Sequence, residues 1–241
     1  MQYDMIISFT SWRKRIFTPE FIMVLLSLLK QKTTAKYKVV LVLSSDEFPK
    51  MENELPKKLV TINELSDNFE ILWTKENTRA YKKYFPTRRK YPNENICIVD
   101  DDCLFHSNFV ETFVKLIKEN PNKIILGKNP WIKYSDTIAG VRWGGACFPP
   151  NALYDLDETF GRKYFNEHDD EFYTLLAVLN ATHYIGIDIR KIADINKFLQ
   201  NKRIIDTVKM DYGHLKKLWD KFHKENPELS KQFNKNKLIK N

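Results

Sequence analysis

Cysteine, glycine and long apolar runs are all scarce in this chain, and each scarcity removes a class of protein. Of 241 residues three are cysteine, Cys97, Cys103 and Cys147, an odd number with no C-x-x-C spacing. That supports neither a disulfide framework nor a zinc site and suits a reducing compartment. The longest apolar run, Phe21 to Leu29, is nine residues with Ser27 inside it, against the roughly 20 that a membrane-spanning helix needs. Charged residues follow the first apolar strand instead of preceding it, so no signal peptide is apparent. The seven glycines form no G-x-x-x-x-G-K-[ST] loop, G-x-G-x-x-G turn or G-x-S-x-G elbow, and no H-E-x-x-H helix occurs. The common nucleotide hydrolase, dehydrogenase, serine hydrolase and zinc protease readings fall away with them. The expectation is a soluble, cytoplasmic protein, with peripheral contact on the inner face of a membrane left open.

What is present is 43% hydrophobic residues, enough for one sizeable α/β domain with no linker. The formal charge of +8 is uneven. Lys75, Arg79, Lys82, Lys83, Arg88, Arg89 and Lys90 stand against Glu76, a local +6. From Lys209 to Asn241 nine lysines face Asp211, Asp220, Glu225 and Glu228, a local +5. A phosphate-bearing ligand for the first block and an anionic surface for the second are separate options, each beside the plain alternative of a solvated face.

The chain is organised around Ile96-Cys97-Ile98-Val99-Asp100-Asp101-Asp102, a buried strand that runs into three carboxylates. Side chains alternate along an extended chain, so Asp100 and Asp102 are expected on one side and Asp101 on the other. Like charges that close oppose folding unless a cation joins them. The competing reading, a turn whose aspartates cap the next helix, is weakened because Ser107, Asn108 and Glu111 already suit the start of a helix from about Phe109 to Glu119. An EF-hand is excluded, since no glycine or closing glutamate sits at the required offsets from Asp100.

Along the chain, Met5 to Phe9 reads as a strand, and Thr18-Pro19-Glu20 opens a helix that runs to about Lys30. Val39 to Leu43 and Phe69 to Trp73 read as strands. The basic block begins as helix and Pro86 is expected to stop it. Ile124 to Leu126, Ile138 to Trp143 and His183 to Ile189 read as further strands, Phe172 to Leu179 as a helix, and the chain from Ile192 onward as helical. This order predicts an α/β fold with a mostly parallel, Rossmann-type sheet covered by helices, spanning residues 1–208. A basic helical extension, 209–241, would pack on that domain or on a membrane. The stripe Leu215, Leu218, Trp219 and Phe222 allows either. Ligands of such sheets sit at the carboxyl ends of the strands, where Thr10 to Arg13, Ser44 to Asp46 and Asp100 to Asp102 would gather.

Two further stretches carry possible chemistry. In Trp143-Gly144-Gly145 the glycines let a ligand approach the backbone beside a flat ring on which a sugar could stack; the plain alternative is a turn with a core tryptophan. Asp169-Asp170-Glu171 leads into a helix, and acids there are ordinary caps as well as candidate bases. Oxygen ligands at the strand end suit Mg²⁺ or Mn²⁺ bridging to a diphosphate.

At this point the chain resembles the GT-A glycosyltransferases, whose D-x-D motif holds a nucleotide-sugar diphosphate through a divalent metal. More narrowly, five ordered segments are similar to small bacterial enzymes of surface polysaccharide synthesis: Ile7 to Ile16, Ser44 to Pro49, Lys83 to Thr87, Gly144-Gly145 with Pro149-Pro150, and Asp169-Asp170. The resemblance implies that Thr10, Ser11, Arg13 and Ser45 border the nucleotide and that Lys83 approaches the diphosphate. It also implies that Asp100 to Asp102 bind ribose and metal, with Asp100 and Asp102 on the metal, and that Asp170 or Asp169 is the catalytic base. His214 would complete the metal site, as late histidines do in some relatives. A tryptophan or short aliphatic residue follows the acidic pair in many relatives, and Glu171-Phe172-Tyr173 stands here instead. The implied donor is a nucleotide sugar, UDP-sugar first, the acceptor a glycan or lipid-linked glycan, and the outcome inversion. A metal-dependent nucleotidyl- or phosphoryl-transferase is the rival. A nucleic-acid partner is not expected, because no aromatic residues are interleaved with the basic blocks as stacking platforms and three aspartates would repel a phosphate backbone.

Overall fold

The computed structural model describes residues 2–128, 145–166, 168–195 and 212–237. Strand β1 (Met5–Thr10) lies at the middle of the first half. The short helix α1 (Arg13–Ile16) and α2 (Pro19–Leu29) follow it. Thr18 caps α2 by accepting from the Phe21 N–H at 3.3 Å, with Pro19 in the first turn, where its missing donor costs nothing. Next come β2 (Tyr37–Ser44), α3 (Lys57–Leu65) and β3 (Phe69–Thr74). After them stand a 3₁₀ turn, Arg79–Lys83, helix α4 (Phe85–Lys90), and β4 (Ile96–Ile98).

The sheet order β3-β2-β1-β4 then continues into β7 (Ala146–Phe148), β6 (Ile124–Lys128) and β8 (Tyr184–Asp188). β7 pairs antiparallel with both neighbours and the other ladders are parallel. A second, two-stranded ladder joins β5 (Cys103–Phe105) to β9 (Ala193–Ile195).

Period-two alternation sorts the two cores. Met5, Ile7, Phe9, Val39, Leu41, Leu43 and Cys97 face α2 and α5 (Phe109–Glu119). Ile6, Val40, Val42, Ile96 and Ile98 face the other way, toward Tyr81, α6 (Glu158–Phe165) and α7 (Asp169–Leu179). Near the C-terminus the described residues form α8 (Tyr212–Glu225) and α9 (Pro227–Lys237). Phe222 is fully buried against Tyr164 and Phe165, and Trp219 Nε1 donates to Glu171 Oε2 at 3.1 Å. The apolar stripe of α8 therefore packs on the body of the protein, and Lys216, Lys217, Lys221 and Lys224 stay exposed.

Several local expectations are corrected. Pro86 opens α4 instead of ending a helix, because a first-turn proline needs no donor and its fixed φ suits the helix. Helix α3 lies between β2 and β3, where none was expected; only Leu59 on it is buried, so its apolar stripe is faint. Residues 193–195 are strand, not helix, drawn into extended form by pairing with β5. Asn108 precedes α5 without a side-chain cap, and Gln31 Oε1 accepts from the Val110 N–H at 3.0 Å in its place. The expected strand from Ile138 to Trp143 lies outside the described residues.

Candidate active site

The strand order turns back beside β1: β2 and β3 lie on one flank and β4 on the other. A crevice at the carboxyl ends is the usual ligand site of such a sheet. The loops that meet there are Ser11 to Arg15 after β1, Ser45 to Phe48 after β2, Lys75 to Thr78 after β3 and Val99 to Asp102 after β4.

Regular strand geometry ends at Ile98, yet the alternation carries on through the first two aspartates. Asp100 turns toward the α7 face, where its Oδ1 accepts from Lys83 Nζ at 3.0 Å. Asp101 turns to the opposite face. There Ser11 Oγ donates to Oδ2 at 2.5 Å and the Arg15 guanidinium pairs with Oδ1. Asp101 is 7% exposed and Arg15 5%. Burial pushes the Asp101 carboxyl up to about 6, with Arg15 opposing and the neighbouring Asp102 reinforcing the rise. Asp102, partly buried, accepts a weak contact from the Cys103 thiol at 3.8 Å.

Lys83 also reaches the second acidic stretch. Its ammonium lies 3.3 Å from Asp169 Oδ2, an ion pair without hydrogen-bond alignment. Lys83 and Asp169 are both buried, whereas the Asp100 side chain is 42% exposed and Asp170 is partly exposed. Burial raises the Asp169 pKa, Lys83 lowers it, and Asp100 raises it again. For Lys83, burial lowers the pKa and the carboxylates Asp100, Asp169 and Asp170 outweigh it, so the ammonium is held charged. Two acidic stretches far apart in sequence thus share one cation.

The remaining expected contacts are placed as follows. Thr10 Oγ1 donates to the Val42 carbonyl at 2.7 Å, which ties β1 to β2 at the loop base. Arg13 bonds the Glu47 carbonyl at 2.9 Å and Glu54 Oε2 at 2.6 Å, and lies over the Phe48 ring. Ser45 Oγ donates to the Lys75 carbonyl at 3.4 Å. His214, at the start of α8, is exposed and sits beside His168, with ring centroids 6.1 Å apart; this puts it with the Asp169-Asp170 helix start. Gly145 has φ +116°, a conformation that side-chain-bearing residues rarely adopt, and it backs onto Phe109 and Phe113. Trp143 and Gly144 lie outside the described residues.

The basic block is divided: Lys82 and Lys83 are buried and Arg88 is half-buried, while Lys75, Arg79, Arg89 and Lys90 are exposed. Lys82 is buried 3.7 Å from Glu47, Arg89 pairs with Glu158, and Lys90 pairs with Glu70. Arg88 donates to the carbonyls of Tyr91, Pro92, Glu94, Phe148 and Pro149. Sequence reasoning passed over Arg15, Glu47 and the structural work of Arg88. The one available signal was a cluster of three cations directly after β1, next to a strand end with three uncompensated anions.

Among the described residues no three His, Cys, Asp or Glu side chains converge as a complete metal-ligand set. The turn still suits a hard dication, because Mg²⁺-type ions are commonly held by one or two carboxylates with substrate phosphates completing the shell. Asp100 and Asp102 are the carboxylates of the turn with partial exposure.

No protein-family model matches the chain, and no curated protein matches its sequence. Solved structures do match in shape. The crystal structure of S. aureus TarS 1–349 superposes with a TM-score of 0.52 at 15% identity, over 78% of this chain and 59% of that one. Its complex with UDP-GlcNAc gives 0.53 at 14% identity, over 78% and 57%, and its complex with UDP gives 0.50 at 14%, over 78% and 59%. The chain thus spans under three fifths of those structures. The likeness is one of fold: this chain has a GT-A-like, Rossmann-type α/β architecture, a mostly parallel seven-stranded sheet flanked by helices.

Proposed function

We propose that the chain is a metal-dependent glycosyltransferase that moves a sugar from a nucleotide-diphosphate donor to a hydroxyl of a glycan acceptor, with inversion. The observation that carries this reading is the Lys83 ammonium between Asp100 and Asp169 at the sheet's switch point, which sets two acidic stretches side by side. A diphosphate donor needs charge neutralised at its leaving group, and an acceptor hydroxyl needs a base; the two stretches supply groups suited to each. UDP-GlcNAc is the donor to test first, since a structure of the same fold holds it.

Asp100 and Asp102 would hold the dication, which supplies charge stabilisation to the departing nucleoside diphosphate when bound. Lys83 adds a fixed positive charge beside them. Asp170 is the better base of the acidic pair, because it is partly exposed while Asp169 is buried against Lys83. The acceptor oxygen attacks the anomeric carbon, the carbon–oxygen bond to the diphosphate breaks, and the acceptor proton passes to Asp170. Thr10 to Arg13 and Ser45 would border the nucleotide, and an acceptor role for the stretch Trp143-Gly144-Gly145 rests on its sequence alone. A cytoplasmic setting and a role in surface polysaccharide synthesis accompany this reading. No helix among the described residues is long and apolar enough to cross a membrane. Contact with a membrane would rest on the exposed lysines of α8, since its apolar stripe is buried.

The test is to incubate the protein with a panel of nucleotide sugars and Mn²⁺ and to follow released nucleoside diphosphate, beginning with UDP-GlcNAc. Thermal shift with UDP, with and without Mn²⁺, runs in parallel; a ligand at 100 times its dissociation constant stabilises by roughly 2.7 kcal/mol. Release of pyrophosphate in place of nucleoside diphosphate would move the assignment to a nucleotidyltransferase. Stabilisation by oligonucleotides and by no diphosphate would end the enzyme reading.

A further inference from the structure

Three consecutive carboxylates at one strand end pose an electrostatic problem that the fold solves by dividing them. Asp100 is drawn to Lys83 on one face of the sheet, and Asp101 is drawn to Arg15 and Ser11 on the other. Arg15 is placed by the short helix α1, which turns Arg15 and Ile16 inward while Arg13 and Lys14 stay exposed. Ile16 is fully buried in the same core as Phe9 and Val99, so the helix is pinned at its end. The Arg15–Asp101 pair therefore crosses the crevice at the switch point, joining the loop after β1 to the loop after β4. Both Asp101 oxygens are engaged from the β1 loop, one by a guanidinium and one by a hydroxyl. A buried pair with this much hydrogen bonding fixes the backbone on which its neighbours sit.

We propose that Arg15, acting through Asp101 with Ser11, is a positioning residue that sets the turn carrying Asp100 and Asp102 for a dication and a nucleoside diphosphate. The proposal rests on the donor-site reading above. Asp101 is then an internal anchor for that site, with the ligand-facing work left to its two neighbours. Losing a group that orients ligating carboxylates typically costs 10–100-fold in affinity for what they hold.

The probe is UDP, titrated calorimetrically with Mn²⁺ and again with EDTA, into wild type, Arg15→Met, Arg15→Lys and Ser11→Ala. In Mn²⁺, Arg15→Met is expected to weaken UDP by about tenfold or more, with Arg15→Lys recovering part of that. In EDTA the Arg15 variants should bind UDP as wild type does. Amide exchange over residues 99–105 of the metal-free full chain is the second measurement, and it should quicken in Arg15→Met while exchange in β2 is unchanged. Should Arg15→Met not fold, Arg15→Lys carries the same comparison, and Ser11→Ala is read by amide exchange over 99–105. Wild type that binds no UDP, or binds it equally with and without Mn²⁺, overturns the donor-site reading and this inference together. Wild type that shows the Mn²⁺ effect while every folded variant retains it in full, with unchanged exchange at 99–105, overturns the positioning role alone.

Discussion

The Lys83 ammonium lies 3.3 Å from Asp169 Oδ2, and both side chains are buried. Neither charge could be left alone in that position, because an unpaired buried ion costs several kcal/mol. Lys83→Met is therefore expected to destabilise the protein by about 3–5 kcal/mol. Adding Asp169→Asn should return part of that loss, since the stranded carboxylate is then gone. Urea denaturation of the two single variants and the double variant measures the coupling. Additive losses would show that the two groups do not depend on each other.

Asp169 and Asp170 separate by environment. Asp170→Asn keeps the shape of the helix start, so UDP affinity and melting temperature should hold while sugar transfer falls by roughly 10²-fold or more. Asp169→Asn should act first on stability. Near-normal transfer in Asp170→Asn, with loss of transfer in a folded Asp169→Asn, would reverse the two roles.

Asp101 gives a pH signature. Its folded pKa, about 6, lies above the ordinary value of 3.8, so between those values the folded chain binds more protons than the unfolded one. Its contribution to stability is therefore largest below about pH 4 and declines as pH rises through about 6. The stability of wild type relative to Asp101→Asn should fall across that window, by at most about 3 kcal/mol, and level off above it. Urea unfolding at intervals from about pH 4 to 8 follows the difference. A difference that instead grows with pH would mean that the Arg15 pair outweighs burial and holds the carboxyl below its usual range.

Phe222 anchors the C-terminal helices. It is fully buried and packs among Phe160, Tyr164, Phe165 and Trp219. Phe222→Ala should cost about 3–5 kcal/mol in the main unfolding transition. A change under about 1 kcal/mol would place α8 outside the cooperative core.

The residues' own pattern determined the sheet strands β1 to β4, the start of α2 and the acidic strand end, because alternation, capping and apolar runs are local properties. The parity argument even placed Asp100 and Asp101 on opposite faces, since the alternation persists to Asp101, past the last ladder pair at Ile98. It did not reach α3, whose single buried residue leaves almost no stripe, or β9, which is extended only because β5 pairs with it. Nor could it name the cations that meet the aspartates. Arg15 and Lys83 stand 86 and 17 residues from theirs, and Asp169 joins from the far end of the chain. Those meetings follow from the order in which strands line up in the sheet, a long-range arrangement decided by burying both faces at once, and only the tertiary structure decided it.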